Sequence, residues 1–243
     1  MFTILTDSVL SVIFPNKCTA CGLGVESHAD GTACADCWAA TRIFDGSEGL
    51  CEKCGVLLSE GRVGVYQLCG DCATHHYDRA FAIGIYEKAL AVAVVSLKKD
   101  PHISARLRDA IVCAFSMRPA FPFTSIIPIP LSKKRIHERG HNQAAAIANV
   151  VGESLGCPVD EYSVERTTHT PMHRGLMDRK ARETSVKKSF NVVRPKLIAR
   201  QNILLVDDVF TTGSTVSSCA AALKKAGAGN VTVFTLARAV KRF

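Results

Sequence analysis

The chain has 243 residues, of which 47% are hydrophobic and 21% charged, and its 30 Lys and Arg outnumber 22 Asp and Glu for a formal net charge of +8. That length holds a full core with room for a second small module, and the composition excludes a disordered chain. A basic excess of this size favours phosphorylated ligands or nucleic acid without demanding either.

The opening Phe2 to Phe14 is apolar but contains Asp7, lacks a basic leader and shows no small-residue cleavage site before Pro15, so no export signal is expected. The later apolar run Ala89 to Leu97 is too short to span a bilayer. The expectation is a cytoplasmic protein with no membrane insertion. There, Cys-x-x-Cys pairs bind metal more often than they form disulfides. Four such pairs follow in order, Cys18/Cys21, Cys34/Cys37, Cys51/Cys54 and Cys69/Cys72, separated by twelve, thirteen and fourteen residues. Two Cys-x-x-Cys turns complete one closed tetrahedral zinc site, which gives a weakly apolar segment its fold. Gly22 follows Cys21 and Gly55 follows Cys54, so the halves repeat at about 33 residues.

Residues 1–78 therefore read as an N-terminal helix and a double zinc ribbon. One structural Zn2+ is assigned to Cys18, Cys21, Cys34 and Cys37 and another to Cys51, Cys54, Cys69 and Cys72. A cross-braced pairing, first pair with third, fits the same spacings. Disulfides, a redox pair or an iron–sulfur cluster account less well for four evenly spaced pairs. Eight thiolates and two dications would lower the net charge to about +4. Closed sites of this kind recognise or brace and do not catalyse. His75 and His76 read as linker residues, and Cys113, Cys157 and Cys219 as buried thiols.

Residues 79–243 read as an α/β domain. A strand is expected over Phe81 to Tyr86 and a helix over Glu87 to Leu97, stopping at Lys98-Lys99-Asp100-Pro101. Ser104 caps a second helix through Phe115, closed by the turn Pro119 to Pro122. Lys98 and Lys99 can reach a phosphate, but cations at a helix C-terminus are also simply favourable with its dipole. The prolines of Ser125 to Pro130 impose an extended strand, and Lys133, Lys134 and Arg135 follow it as a second anion site or a surface charge run. Arg139, Asn142 and Gln143 precede a helix over Ala144 to Leu155, where ligand contact and local capping both remain open. Glu165 to Lys188, basic and aperiodic, reads as a mobile loop able to close over a ligand.

The densest stretch comes late. Ile203 to Val206 is an uninterrupted apolar run suited to a central parallel strand, and Asp207 and Asp208 sit at its carboxyl end, where ligands of open α/β sheets gather. Thr211, Thr212, Ser214 and Thr215 then supply hydroxyls around Gly213, before a helix expected over Val216 to Lys225. The free N–H groups and dipole at that helix start suit a phosphate, while the carboxylates suit ribose hydroxyls or a bound Mg2+. No Lys follows the glycine, so this is not a nucleotide-triphosphate P-loop. A strand over Asn230 to Ala237 and a basic tail from Arg238 to Phe243 complete the chain.

The late stretch resembles the PRPP (phosphoribosyl pyrophosphate) motif of type I phosphoribosyltransferases, matched by Asp207, Asp208, Thr212, Gly213 and Thr215. The resemblance implies a type I phosphoribosyltransferase-like parallel sheet with flanking helices. It implies that Asp207 and Asp208 contact the ribose hydroxyls, that Thr211 to Thr215 hold the 5′-phosphate, and that a loop follows the proline-containing strand in which Lys133, Lys134 and Arg135 are candidates for the pyrophosphate. Combined with the cysteine module, the proline-containing strand and Arg139-Gly140-His141-Asn142-Gln143, the whole chain is similar to the ComF family. That family is linked to DNA uptake in competent bacteria. His141 stands where the family usually has an aromatic residue, and His173 where glutamine is common.

Two functions are carried forward: a Mg2+-dependent transferase that displaces pyrophosphate from PRPP toward an unidentified acceptor, and a single-stranded-DNA-handling protein of the DNA-uptake machinery in which the same site binds a regulatory ligand. Against the second, Trp38, Phe44 and Tyr66 are the only aromatic residues between the first and last cysteine pairs. A glutamine-using amidotransferase would expose a cysteine at its mature start, and Met1-Phe2 does not fit that expectation.

Overall fold

The computed structural model describes residues 16–58, 63, 66–117, 122–167 and 189–240. The apolar N-terminal helix, the turn at 119–121 and the closing loop over 168–188 lie outside the described residues.

Four strands, β1 (Arg79–Ile85), β2 (Ser125–Pro128), β5 (Ile203–Phe210) and β6 (Val231–Arg238), form one sheet in the order β1-β6-β5-β2. All three pairings are parallel, with Ile203 beside Val231 and Asp207 beside Thr235. Parallel strands need covered crossovers, and the chain supplies them as helices: α2 (Lys88–Leu97), α3 (Ala105–Ser116), α4 (Lys133–Arg139), α5 (Gln143–Leu155), α6 (Pro195–Ile198) and α7 (Ser214–Lys225), after a short α1 (Ala35–Ala39) in the cysteine module. The sequence explains the starts and stops. Ser104 accepts from the Leu107 N–H to cap α3, and Gly156, at φ 61, ends α5 in the left-handed conformation. A small antiparallel pair, β3 (Val164–Arg166) with β4 (Phe190–Val192), flanks the segment outside the description.

Alternate residues of β5 serve two cores. Leu204 and Val206 pack with Phe81, Ile83 and Phe234 under α2, α3 and α5, whereas Ile203 and Leu205 pack with Val231, Val233 and the α7 residues Val216, Cys219 and Leu223. The cysteine module straddles the β1 edge. Cys18, Cys34, Cys37 and Trp38 join the first core, and Cys51, Cys54, Cys72 and Tyr77 join the second. Between them, the Phe44 N–H donates to Ile83 O at 2.8 Å and the Ile85 N–H to Arg42 O at 2.9 Å, which closes the open edge of β1. Gly84 is required there, because a Cβ would lie 2.2 Å from Arg42 O.

The expected fold class is borne out, with local corrections. The cations Lys133, Lys134 and Arg135 occupy the first turn of α4 rather than a loop, because the Ser132 hydroxyl accepts from the Arg135 N–H and caps a helix there. Ser214 and Thr215 likewise belong to α7, which starts two residues earlier than the hydroxyl-rich pattern implies. Arg238 ends β6 and is buried, not part of a tail, since its strand continues to pair with Phe210. Cys113 is exposed on α3, whereas Cys157 and Cys219 are buried as expected.

Candidate functional site

In the cysteine module, the sulfur atoms of Cys18, Cys21, Cys34 and Cys37 lie within 4.8 Å of one another, and so do those of Cys51, Cys54, Cys69 and Cys72. Measured Sγ separations run from 3.4 Å for Cys69 and Cys72 to 3.7 Å for Cys18 and Cys37. A tetrahedron with Zn–S bonds of about 2.3 Å has edges of roughly 3.8 Å, so each set fits a zinc ion, and every cysteine is free of disulfides. The grouping is sequential, not cross-braced. Within each set one thiol is prepared to ionise: burial pushes Cys18 up, but N–H groups of Cys34, Cys21 and Ala20 outweigh it and bring it down to about 6. Cys51 falls to about 7 in the same way, through the N–H groups of Cys69, Cys54 and Lys53. Burial and the neighbouring thiols Cys21, Cys34 and Cys18 drive Cys37 up to about 12, a clash that a dication relieves.

At the carboxyl end of β5 the two acids diverge. Asp208 is buried; its Oδ1 accepts from the Val209 N–H at 2.8 Å, and its Oδ2 meets Gln143 Nε2 at 3.3 Å and Lys98 Nζ at 3.5 Å. Gln143 is in turn held by the Arg139 guanidinium, which donates to its Oε1 at 2.9 Å. Asp207 Oδ1 accepts from the Asp208 N–H at 2.9 Å; burial, and then the Asp208 charge, hold its carboxyl well above the usual range, with that N–H and the Arg166 charge pulling the other way. The buried Cys219 thiol is pushed up by burial and by the same Asp207 charge.

Beyond the acids, Thr211 and Thr212 are exposed, and Gly213 caps α7 at φ 75 without any side-chain hydrogen bond. The Thr212 and Ser214 hydroxyls touch at 2.8 Å, so they face one spot at the helix start. The Ser214 N–H meets Thr212 Oγ1 at 3.4 Å, and the first-turn N–H groups that have no intrahelical partner, together with the dipole, make this helix start an arrangement that receives an anion.

The other expected residues fall at different distances from this centre. Ile129, one residue past β2, donates its N–H to Val206 O at 2.8 Å, and Asn142 Nδ2 donates to Ile129 O at 3.1 Å, so the segment leading into α4 and the start of α5 flank the acids. Asn142 is also the N-cap of α5, accepting from the Ala144 N–H. Lys133 and Lys134 are exposed, and Lys134 is paired with Glu138 at 3.8 Å. Three cations in a helix's first turn oppose its dipole.

Sequence reasoning missed three participants. Lys98, read as simple dipole compensation at the end of α2, turns its ammonium to Asp208. His75, read as linker, lies against the phosphate-type turn, since a Cβ on Gly213 would sit 2.8 Å from its Cε1. Arg238 donates to Cys54 O and, at 3.5 Å, to Cys54 Sγ. The doublet at Lys98 was a usable signal; nothing local marks the other two.

Residues 9–73 match the family model of the double zinc ribbon domain. Competence protein F of Haemophilus influenzae is 29% identical over 93% of this chain and 98% of its own length. The DNA utilization protein YhgH of Shigella flexneri is 28% identical over 92% of this chain and 97% of its own. Among solved structures, the glutamine phosphoribosylpyrophosphate amidotransferase of B. subtilis complexed with ADP and GMP is similar at a TM-score of 0.37 and 16% identity, covering 53% of this chain and 26% of that one. The chain thus spans about a quarter of that enzyme. The resemblance to the ComF family read from the residues is borne out by homologues of competence protein F type along nearly the whole chain.

Proposed function

With that kinship as the premise, we propose that the chain binds PRPP with Mg2+ at the carboxyl end of β5 and transfers, or holds, a ribose 5-phosphate unit for an acceptor still to be identified. The observation that carries the reading is the pairing of two adjacent carboxylates with a hydroxyl-lined helix start on one continuous stretch, Asp207 to Thr215. In this reading Asp207 and Asp208 orient the ribose hydroxyls and the turn from Thr211 to Thr215 receives the 5′-phosphate. Lys133, Lys134 and Arg135 are candidates for the pyrophosphate. Lys98, Gln143 and Arg139 fix the Asp208 carboxylate, an outer layer that keeps it in one orientation.

Mg2+ fits the residues because the half-buried Asp207 stands directly beside the second carboxylate, Asp208, and the two offer oxygen ligands of the kind a hard dication takes. When bound with the pyrophosphate it would neutralise the leaving group. The division into residues 1–78 and 79–243 belongs to the same proposal, with the ribbons bracing rather than catalysing. A cytoplasmic setting follows from eleven free cysteines, eight of them in metal-type sets. Among the described residues no helix is long and apolar enough to cross a membrane.

The relatives' names, competence protein and DNA utilization protein, favour a second reading in which the site serves a DNA-handling protein, for which single-stranded DNA is the form to test. Of the three aromatic residues between the first and last cysteine pairs, Trp38 and Phe44 are buried and Tyr66 is exposed, so that stretch offers little stacking surface. The deciding experiment is calorimetric titration with PRPP and Mg2+, and separately with single-stranded DNA, at two salt concentrations. Saturable PRPP binding with no DNA signal favours the transferase and justifies an acceptor screen. Steeply salt-dependent DNA binding without PRPP binding turns the assignment to the DNA-handling role.

A further inference from the structure

We propose that the second cysteine set and the phosphate-receiving turn are one mechanical unit, in which His75 and Arg238 are positioning residues that hold Gly213 in place. The ligand assigned to the turn rests on the reading above; the coupling itself stands on contacts in the free protein.

Two routes converge on Gly213. The first runs through the backbone after the last cysteine. The His75 N–H donates to Cys72 O at 3.1 Å, and Lys53, inside the Cys51/Cys54 turn, donates its ammonium to His75 O at 2.9 Å. The imidazole is then fixed by Tyr77, whose hydroxyl lies 2.6 Å from Nδ1, and Tyr77 itself is buried. The neighbouring His76 N–H donates to Ser217 Oγ in α7 at 3.1 Å. So the segment leaving the second set touches both the turn and the helix behind it.

The second route runs through β6. Arg238 donates to both the carbonyl and, at 3.5 Å, the sulfur of Cys54, and its guanidinium carbon lies 4.2 Å from the centre of the Phe210 ring. Four thiolates on one Zn2+ carry a net charge of about −2, so the guanidinium is paired with the loaded set. Phe210 packs edge-on against Tyr77 at 6.0 Å. Its Cζ stands 2.5 Å from where a Gly213 Cβ would be, with His75 Cε1 at 2.8 Å. Two rings, each tied to the cysteine set, therefore hold one glycine at a φ of +75. Among the described residues the first set makes no comparable approach: Trp38 lies under Arg106 of α3, 6.0 Å from its guanidinium carbon, and Asp30 pairs with the same arginine at 3.7 Å.

The test combines amide hydrogen exchange over residues 211–217 of the free full-length protein, zinc content, and calorimetry with PRPP and Mg2+. His75→Ala should leave both ions in place and speed exchange in the turn about tenfold. His75→Phe, which keeps a ring against Gly213, should recover most of the protection. Arg238→Lys should act in the same direction as His75→Ala, and Arg106→Ala, beside the first set, should change nothing. Unaltered exchange in both His75→Ala and Arg238→Lys overturns the proposal. Should His75→Ala lose its zinc, Tyr77→Phe decides in its place: faster exchange supports the coupling and unchanged exchange sinks it. A wild-type protein that fails to bind PRPP while the variants still loosen the turn keeps the coupling and removes the ligand reading.

Discussion

The cysteine module and the parallel sheet reach a fixed shape by opposite means. The sheet is held by burial: Ile203, Leu204, Leu205 and Val206 are fully enclosed, with helices on either face. The module has few large apolar side chains of its own and brings its eight sulfurs into two compact sets instead. A segment held by an ion answers to chelators and thiol chemistry, and a segment held by packing answers to cavities. Because cysteines of the first set lie in one core and cysteines of the second in the other, the two kinds of stability meet along the β1 edge.

Metal removal is the largest perturbation available. Purified protein should contain about two zinc ions, and each set should contribute on the order of 10 kcal/mol to the order of its ribbon. Stripping both should abolish protection of residues 16–58 in hydrogen exchange while β5 and β6 keep theirs. Simultaneous loss of protection in the sheet would erase the contrast between the two regions, and a count near one ion would give one set another task.

A cavity in the sheet probes the reverse direction. Phe234 is fully buried in β6, with its ring 5.2 Å from Phe81 and 4.8 Å from Phe115. Phe234→Ala should destabilise the protein by about 3–5 kcal/mol in denaturant titrations, with zinc content unchanged in the folded fraction. A drop in zinc at denaturant concentrations below the unfolding midpoint would show the module leaning on the sheet more than the sheet leans on it.

What the sequence disclosed follows the same division. Cysteine spacing declared both metal sets, and a four-residue apolar run declared the central strand with its acids, because each of these signals is local and periodic. The arrangement around Asp208 was not legible, since Lys98 and Gln143 come from other helices, 110 and 65 positions away in sequence, and only the sheet order brings them together. Arg238 reads as the start of a basic tail because Lys241 and Arg242 follow it closely; its place is set by pairing with Phe210 on β5. The cations at Lys133 to Arg135 looked like a loop until Ser132, a single capping hydroxyl, turned them into a helix.

At the shared site, Asp207→Asn together with Asp208→Asn should weaken PRPP binding at least about a hundredfold by calorimetry, since both carboxylates leave the ribose end. Fold and zinc content should survive, because neither acid touches the module. Retained affinity would sink the assignment of the site to this strand end and leave the two regions without a common purpose there.

The smallest effect is the most specific to a site held ready for a ligand. Burial and then the Asp208 charge raise the Asp207 pKa, so the folded state keeps a proton that the unfolded chain releases above about pH 4. Its stability is therefore greatest below that pH and declines as pH rises toward the folded value, leaving a penalty at neutral pH. Asp207→Asn alone removes the penalty and should raise Tm by about 3 °C at neutral pH. The gain should shrink to nothing below about pH 3, where Asp207 is neutral in both states. A pH-independent gain would mean that the amide merely packs better. A loss at neutral pH would mean that the ionised acid is already satisfied in the free protein, and that it has no unpaired charge to offer a cation or a ribose.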